Sequence, residues 1–171
     1  MSKLPQKTEY LEGVVLHVYS REMVEKYNQW MQNPELLRLT SSEALSLEEE
    51  YENQRSWLVD PNKYTYVLCD KERFNSERPE ESMIGDINLF ITDEGVAEIN
   101  IMIAEETYRR RGLATQAISF MIEFARNLGI RDLYAKILED NIASARVFQK
   151  LGFVEVNRIP DFEEIHYCFH L

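Results

Sequence analysis

The sequence has little cysteine and no long hydrophobic run. Cys69 and Cys168 are its two cysteines, and both lie inside apolar segments, where a reduced thiol packs as a small hydrophobic side chain. A disulfide framework is therefore not expected. No stretch of about 18 apolar residues occurs, and residues 1–7 lack the apolar core of a signal peptide. We expect a soluble protein of the cytoplasm with no membrane span.

Basic residues are scarce relative to acidic ones. Lys and Arg number 19 against 30 Asp and Glu, which gives a formal net charge of −11 at pH 7. Nucleic-acid binding needs clustered cations that face phosphates, and the one dense basic run, Arg109-Arg110-Arg111, is too short to supply them. We therefore expect no nucleic-acid partner. The negative charge favours a cationic partner such as an amine.

The composition is that of an ordinary globular protein. Hydrophobic residues make up 44% of the 171 residues and charged residues 29%, which excludes a disordered or fibrous chain. A chain of this length favours one domain over residues 1–171 with one sizeable core.

Hydrophobic periodicity predicts strands alternating with helices. Helices are predicted from Arg21, where Asn33-Pro34 ends the pattern, from the Ser46 cap, from Leu113, and over residues 142–151. The segment Asp70–Ser82 is predicted to be a mobile loop that is too polar to pack. The order β-α-α-β-β-β-α-β-α-β-β indicates a mixed α/β sheet in one domain. Strands are predicted at Gly13–Ser20, Tyr64–Cys69, Met83–Ile91, Val96–Ile103, Leu133–Leu138, Phe153–Arg158 and Ile165–Phe169.

A strand, a tight loop and a helix follow one another over residues 99–115. Such a loop points backbone N–H groups at one spot, and the helix N-terminus and the arginines add positive charge, which suits a pyrophosphate. Gly112 lets the backbone approach the phosphates, and the small Ala114 keeps the first turn clear. A triple arginine alone is more often a solvated surface patch. The interpretation as a pyrophosphate site therefore depends on the short spacing between the preceding strand and the helix.

This segment resembles one enzyme family. Arg109-x-x-Gly112-x-Ala114 fits the Gln/Arg-x-x-Gly-x-Gly/Ala signature of the GNAT acetyltransferases, and the run Asn141–Phe153 is similar to their downstream Asn…Tyr-x-Lys-x-Gly-Phe element. The element order also matches, so the resemblance covers residues 14–169. Other segments are similar to the N-acetyltransferase 9-like group, which is related to ribosomal-protein N-terminal acetyltransferases: Tyr27–Met31, Glu35–Thr40, Glu48–Tyr51 and Gly85–Phe90.

The resemblance implies a single-domain GNAT fold. Its central sheet would be mixed and mostly antiparallel, with helices on both faces, and would splay open in the middle between the strand ending at Ile103 and the strand Leu133–Leu138. Acetyl-CoA would lie in this V, with the backbone of Met102 and Ile103 against its pantetheine arm. The pyrophosphate would meet the amides of Arg110, Arg111, Gly112, Leu113, Ala114 and Thr115, and Arg109 and Arg111 would add charge.

Three further residues match cofactor positions of the family. Asn141 lies where the family contacts the cofactor arm and Ser144 is a polar neighbour, although either can instead be an ordinary helix cap. Phe148 stands where many members carry a tyrosine that acts as general acid, and its alternative role is core packing. The proton donor would then be Tyr134, Ser144 or water, unless the thiolate leaves unaided or catalysis has been lost.

The predicted hairpin carries the catalytic candidates. Its two-residue period puts Glu98 and Asn100 on one face of a strand and Asp86 and Asn88 on one face of the partner. Pairing Asn88 with Glu98 and Asp86 with Asn100 gathers the four polar groups, and a register shifted by two residues keeps the grouping. The alternative is a solvated sheet face. Glu98 is the general-base candidate, with Asp86 supporting a cationic substrate.

These observations predict an acetyl-CoA-dependent N-acetyltransferase that acts on a primary amine by direct transfer in a ternary complex. A protein N-terminus is the expected acceptor, by analogy with the relatives. An acetyl-CoA-binding interaction module with little turnover and a small-amine acetyltransferase remain open, as do a monomer and a homodimer. His17, His166 and His170 lack ligand-like spacing to cysteines or acidic pairs, so no metal is expected.

Overall fold

A computed structural model describes residues 3–171. In these residues eight strands form one open sheet of order β1-β2-β3-β4-β5-β6-β8-β7. Neighbouring strands are antiparallel except for β5 and β6, which run parallel. The strands are β1 (Glu9–Tyr10), β2 (Val14–Val18), β3 (Lys63–Asp70), β4 (Met83–Asp93), β5 (Val96–Ile103), β6 (Asp132–Leu138), β7 (Val154–Ile159) and β8 (Glu164–His170).

Helices cover both faces of the sheet, as expected for the predicted α/β class. One buried cluster packs α4 and α5 against the sheet, with Ile99, Met121 and Phe148 among its members. A second cluster packs α1 and α2 against the opposite face, around Met23 and Met102. The helices are α1 (Val24–Trp30), α2 (Pro34–Leu39), α3 (Leu47–Val59), α4 (Leu113–Asn127) and α5 (Ile142–Lys150). Among residues 3–171, no helix combines the length and apolar character needed to cross a bilayer.

The dipeptide Asn33-Pro34 ends α1 as predicted, but it also begins α2, a helix that the periodicity missed. The Asn33 side chain accepts a hydrogen bond from the Glu35 N–H at 2.9 Å and caps the new helix. Proline is tolerated at the first helical position because its missing N–H would have no helical partner there.

The segment Asp70–Ser82 was predicted to be too polar to pack, and this is wrong for part of it. Pro79 and Ser82 are buried at the two ends of a 3₁₀ turn, and the Ser82 hydroxyl donates to the Pro79 carbonyl at 3.1 Å. The ring of Phe74 contacts that of His17 at a centroid distance of 5.4 Å. Local hydrogen bonding therefore lets this polar segment bury its C-terminal end, while its mobility stays a prediction.

The sheet splays open between β5 and β6, which confirms the predicted V. These strands pair at three positions, Val96 with Asp132, Ala97 with Leu133 and Glu98 with Tyr134. Beyond Glu98 they share no further pairing in the described chain. The backbone of β5 over residues 100–103 therefore faces a gap on the β6 side. The Ile103 carbonyl accepts a hydrogen bond from Arg109 Nε, and the other outward N–H and C=O groups of this stretch are available to a ligand.

Candidate active site

The β4–β5 hairpin gathers polar side chains on one face of the sheet. Asn88 lies opposite Asn100, and Glu98 lies opposite Phe90. The predicted pairing of Asn88 with Glu98 is therefore wrong by two residues, because β4 extends to Asp93 and leaves a two-residue turn. An even shift leaves every side chain on its face, so the predicted polar grouping is confirmed.

Asp86 forms the buried centre of this polar face. It is 3% exposed, and its Oδ2 accepts hydrogen bonds from the Tyr27 hydroxyl at 2.9 Å and from Asn88 Nδ2 at 3.1 Å. Asn88 Nδ2 also donates to Asn100 Oδ1 at 3.0 Å, and the Thr65 hydroxyl donates to Asn88 Oδ1 at 2.6 Å. Burial raises the pKa of the Asp86 carboxyl, while the hydrogen bonds from Asn88 and Tyr27 oppose the rise. The network brings Asp86 and Asn100 together.

Glu98 differs from Asp86 in its access to solvent. Its side chain is 29% exposed and forms an ion pair with Lys136 on β6, next to the point where the sheet opens. Both carboxylates line the cleft, and Glu98 is the more exposed of the two to an entering ligand. It is therefore better placed than Asp86 to exchange a proton with a ligand or with water.

Lys63 is a functional candidate that the sequence reading missed. It begins β3 opposite Phe90, and it is 7% exposed. Its Nζ lies 3.4 Å from the ring centroid of Trp57 and 4.3 Å from that of Phe90. Burial lowers the pKa of the Lys63 ammonium to about 8, although the charge of Asp86 opposes this. The sequence carries one signal for Lys63. The two-residue period of the strand puts it on the same face as Thr65.

A single cleft of about 320 Å³ joins this polar face to the opening in the sheet. Tyr27 of α1 and Trp57 of α3 border it. Glu98 and Asn100 lie between its polar end and the α5 end. The lining residues are Tyr27, Met31, Leu39, Thr40, Ser41, Ser42, Trp57, Lys63, Asp86, Asn88, Phe90, Glu98, Ile99, Asn100, Ile101, Lys136, Ile137, Asn141, Ser144, Phe148 and Glu164.

At the α5 end of the cleft, Asn141 is a helix cap and Phe148 packs in the core, which are the two alternative roles given for them. The Asn141 side chain accepts a hydrogen bond from the Ser144 N–H at 3.3 Å, so Asn141 caps α5 while lining the cleft. Phe148 is 2% exposed, and its ring meets Phe153 edge to face at 5.0 Å. Ser144 lines the cleft, and Tyr134 is not among the lining residues. Of these two candidate proton donors, Ser144 is therefore the one that lines the cleft.

The loop before α4 has the backbone geometry of an anion site. Gly112 is the N-cap of α4 with φ +75° and ψ 8°, and no side chain caps the helix in the described chain. The N–H groups of the first turn, over residues 113–115, have no helical acceptor and are free to meet a ligand. No heavy atom lies within 4 Å of the Cβ that a larger residue would place at Gly112, so the space there is open. Arg110 also adopts a positive φ, of 63°.

The flanking arginines hold this loop in shape. Arg109 Nε donates to the Ile103 carbonyl at 2.9 Å, which ties the loop to the end of β5. The guanidinium of Arg111 lies over the ring of Tyr108 at 4.9 Å. Both side chains are exposed and carry charge beside the uncapped helix terminus. The phosphate contacts of residues 109–115, and those of Met102 and Ile103 with a pantetheine arm, stay predictions.

The structure places His170 close to an acidic residue and a cysteine. The described residues include a set in which one ligand atom each from Asp132, Cys168 and His170 lies within 4.8 Å of the others. The antiparallel register of β6 and β8 pairs Asp132 with His170, whose Nδ1 lies 2.5 Å from the Asp132 carboxylate. The sequence spacing of His170 does not reveal these neighbours, because strand pairing joins residues that are far apart in sequence. The absence of a metal stays a prediction.

Comparison with known proteins identifies relatives of the whole fold. A family model described as an acetyltransferase (GNAT) domain matches residues 14–154. An N-acetyltransferase 9-like protein from Nematostella vectensis is 42% identical over 158 residues, covering 89% of this chain and 80% of the relative. An alpha/beta-tubulin-N-acetyltransferase 9 from Mus musculus is 43% identical over 171 residues, covering 95% of this chain and 71% of the relative.

A solved structure shares the fold at lower identity. RimL, a ribosomal alpha-N-protein acetyltransferase in complex with coenzyme A, superposes with a TM-score of 0.75 at 16% identity. The match covers 94% of this chain and 96% of that chain. At this identity the likeness establishes the fold and not the substrate.

Proposed function

Since this chain belongs to the GNAT acetyltransferase family and is an N-acetyltransferase, we propose that its donor is acetyl-CoA and its acceptor the α-amine of a protein N-terminus. The observation that carries the proposal is the single cleft that runs from the opening between β5 and β6 to the polar face around Glu98. A donor bound in the opening and an amine on the polar face would lie next to each other, as direct transfer requires.

The residues at the opening suit coenzyme A. Three features support the donor site: uncapped N–H groups at the start of α4, open space over Gly112, and an unpaired stretch of β5. The helix N-terminus and the arginines beside it would hold the pyrophosphate, and the backbone of residues 102–103 the pantetheine amides. When bound, acetyl-CoA supplies a thioester whose acetyl group an amine can accept.

Glu98 would take the proton that the amine gives up. Its carboxylate reaches the cleft and is partly exposed, so it can accept a proton directly or through one water. Asp86 Oδ2 already accepts two hydrogen bonds in the buried interior. Asp86 would instead fix Tyr27 and Asn88, and through Asn88 it would hold Asn100 on the floor of the acceptor site.

The leaving thiolate needs a proton or must depart unaided. Phe148 has no hydroxyl, and its buried ring packs against Phe153. Ser144 carries a hydroxyl at the cleft and, with water, is the donor that we propose. The missing tyrosine is also the observation that favours a second candidate, an acetyl-CoA-binding module with little turnover.

The printed name of the mouse relative assigns tubulin to that protein, which makes tubulin N-terminal peptides the first acceptors to test. The purified chain would be incubated with acetyl-CoA and these peptides, and mass spectrometry would locate the added acetyl group. We expect acetylation at the α-amine and none on lysine side chains. Binding of acetyl-CoA without transfer to any peptide would favour the interaction module. Transfer to free polyamines in preference to peptides would favour a small-amine acetyltransferase.

A further inference from the structure

One charge that lines the cleft has no carboxylate in direct contact, although the charge of Asp86 acts on it from further away. Lys63 is 7% exposed and borders the cleft, and among residues 3–171 no carboxylate oxygen lies within 4.0 Å of its ammonium. No hydrogen bond from its Nζ is present among the described residues either. A buried ammonium that keeps its charge requires acceptors, because burial without them is costly. The cleft is where such an acceptor would enter.

The carboxylates that line the same cleft are already engaged. Asp86 accepts from Tyr27 and Asn88, Glu98 pairs with Lys136, and Glu164 lies 2.6 Å from His166 Nε2. A ligand that enters the cleft therefore meets acids that are already hydrogen-bonded or ion-paired, and one cation, Lys63, that no carboxylate of the described residues contacts directly. The overall negative charge of the chain does not predict this local arrangement.

Aromatic rings hold the Lys63 ammonium in place. Trp57 and Phe90 lie on two elements that flank it, with their ring centroids 3.4 Å and 4.3 Å from Nζ. Electron-rich ring faces attract a cation but leave its N–H donors free to bind an anion. In this water-poor position an anion would interact with the ammonium more strongly than at the surface.

The distance from Lys63 to Glu98 determines how far from the reacting amine the anionic group of a substrate would lie. The two residues flank Phe90 on one row of the sheet, Lys63 on β3 and Glu98 on β5. Adjacent strands are about 4.8 Å apart, so their backbones are separated by about 10 Å. An extended peptide advances about 3.5 Å per residue. A peptide with its α-amine at Glu98 would bring the side chain of its second or third residue to Lys63.

We infer that Lys63 is a specificity-determining residue that binds a carboxylate of the acceptor, namely an acidic side chain at the second or third residue of the acceptor polypeptide. The inference rests on the proposed function, in that it assumes an amine acceptor seated at Glu98. It restricts the substrate class from protein N-termini in general to those with an acidic residue close to the amine.

Matched peptides test this assignment. Two eight-residue peptides would carry Glu at the second or at the third residue, and two controls would carry Gln at the same place. For the wild-type protein we expect kcat/KM for a Glu peptide to exceed that for its Gln partner by about tenfold, since a charge-assisted hydrogen bond is lost. Lys63→Met should bring this ratio to about one, and Lys63→Arg should retain most of it. Lys7→Met, which removes an exposed lysine, serves as the matched control.

The outcomes separate this inference from the proposed function. If no peptide is acetylated, the proposed function fails. If peptides are acetylated but the wild-type protein does not prefer Glu over Gln, or if Lys63→Met keeps the preference, the assignment of Lys63 is overturned. Free glutamate acetylated as efficiently as the Glu peptides would also overturn it, because the carboxylate would then belong to a small molecule. The wild-type comparison decides the matter even if Lys63→Met fails to fold.

Discussion

The donor end that we propose is made of backbone from one continuous segment next to the cleft, whereas the proposed acceptor end is made of side chains from five separate elements that line it. Residues 102–115 supply the end of β5, the loop and the first turn of α4. The acceptor end takes Tyr27 from α1, Trp57 from α3, Lys63 from β3, Asp86 from β4 and Glu98 from β5. A site made of backbone groups tolerates most changes of side chain but is lost when the backbone conformation changes. A site made of side chains is lost when one of those side chains is replaced. Substitutions can therefore test the two ends separately.

The largest effect is expected at the donor end, from Gly112→Trp. The bulky side chain would fill the open space over the loop and would have to adopt φ +75°. Calorimetric titration should find acetyl-CoA binding weakened about 100-fold or more. Gly129→Trp is the matched control, because Gly129 also has a positive φ, of 81°, and open space, but lies at the other end of α4. Equal binding by the two variants would contradict the placement of the donor site.

The next effect belongs to the acceptor end, where Glu98→Gln removes the proposed base and keeps the shape. We expect kcat to fall about 100-fold or more, since general-base catalysis contributes about 10²–10⁴. The Kd for acetyl-CoA should stay unchanged, because the carboxylate is not part of the donor site. Thiol release and calorimetry measure the two quantities. Glu94→Gln, in the exposed hairpin turn, is the control, and a wild-type kcat in Glu98→Gln would remove Glu98 from the mechanism.

A smaller effect is expected on stability, from Asp86→Asn. Burial raises the pKa of Asp86 in the native protein, so between the unfolded and folded pKa values the native state binds more protons. Its contribution to the free energy of unfolding therefore falls as pH rises through that window. Asp86→Asn should gain stability relative to wild type as the pH rises above the ordinary pKa of an aspartate.

Urea unfolding at several pH values measures this difference, with the exposed Asp93→Asn as control. A difference that shrinks as pH rises would mean that the native state favours the ionised carboxylate. Activity should fall less in Asp86→Asn than in Glu98→Gln, because the oxygen of the introduced amide can still accept a hydrogen bond from Tyr27.

The smallest effect is expected at the surface, from an ion pair between α2 and the segment after β6. Arg38 on α2 forms an ion pair at 3.0 Å with Asp140, which follows β6. Both side chains are exposed, so solvent and salt screen the attraction. Arg38→Ala should leave the unfolding midpoint unchanged in 0.5 M salt, with at most a small decrease in low salt. A large decrease that persists in high salt would indicate that this pair holds the cleft together.

The same contrast explains how far the sequence could predict the site. The loop that we propose for the donor was recognisable in the sequence because its strand, loop, glycine and helix are consecutive. The acceptor end was predicted only within the hairpin, where the two-residue period put Glu98, Asn100 and Asp86 on one face. The predicted register was wrong by two residues because the sequence does not show how many residues form the turn. Lys63, Tyr27 and Trp57 were missed because their place depends on the pairing of β3 with β4 and the docking of α1 and α3.

The fold itself followed from periodicity in most elements. The strong amphipathic pattern of α4 and the alternation in β5 require no tertiary information. Helix α2 was missed because six residues show too little periodicity, and because proline both ends one helix and begins the next. The set formed by Asp132, Cys168 and His170 depends on the pairing of β6 with β8, which composition and spacing do not show.

The central claim is that donor and acceptor meet in one cleft. Its most direct test is calorimetric titration of a conjugate in which the sulfur of coenzyme A is linked through an acetyl bridge to the α-amine of an N-terminal peptide. If the two ends form one site, the conjugate should bind at least about 100-fold more tightly than either coenzyme A or the peptide alone. That gain should disappear in Gly112→Trp. A conjugate that binds no more tightly than coenzyme A itself would contradict the account.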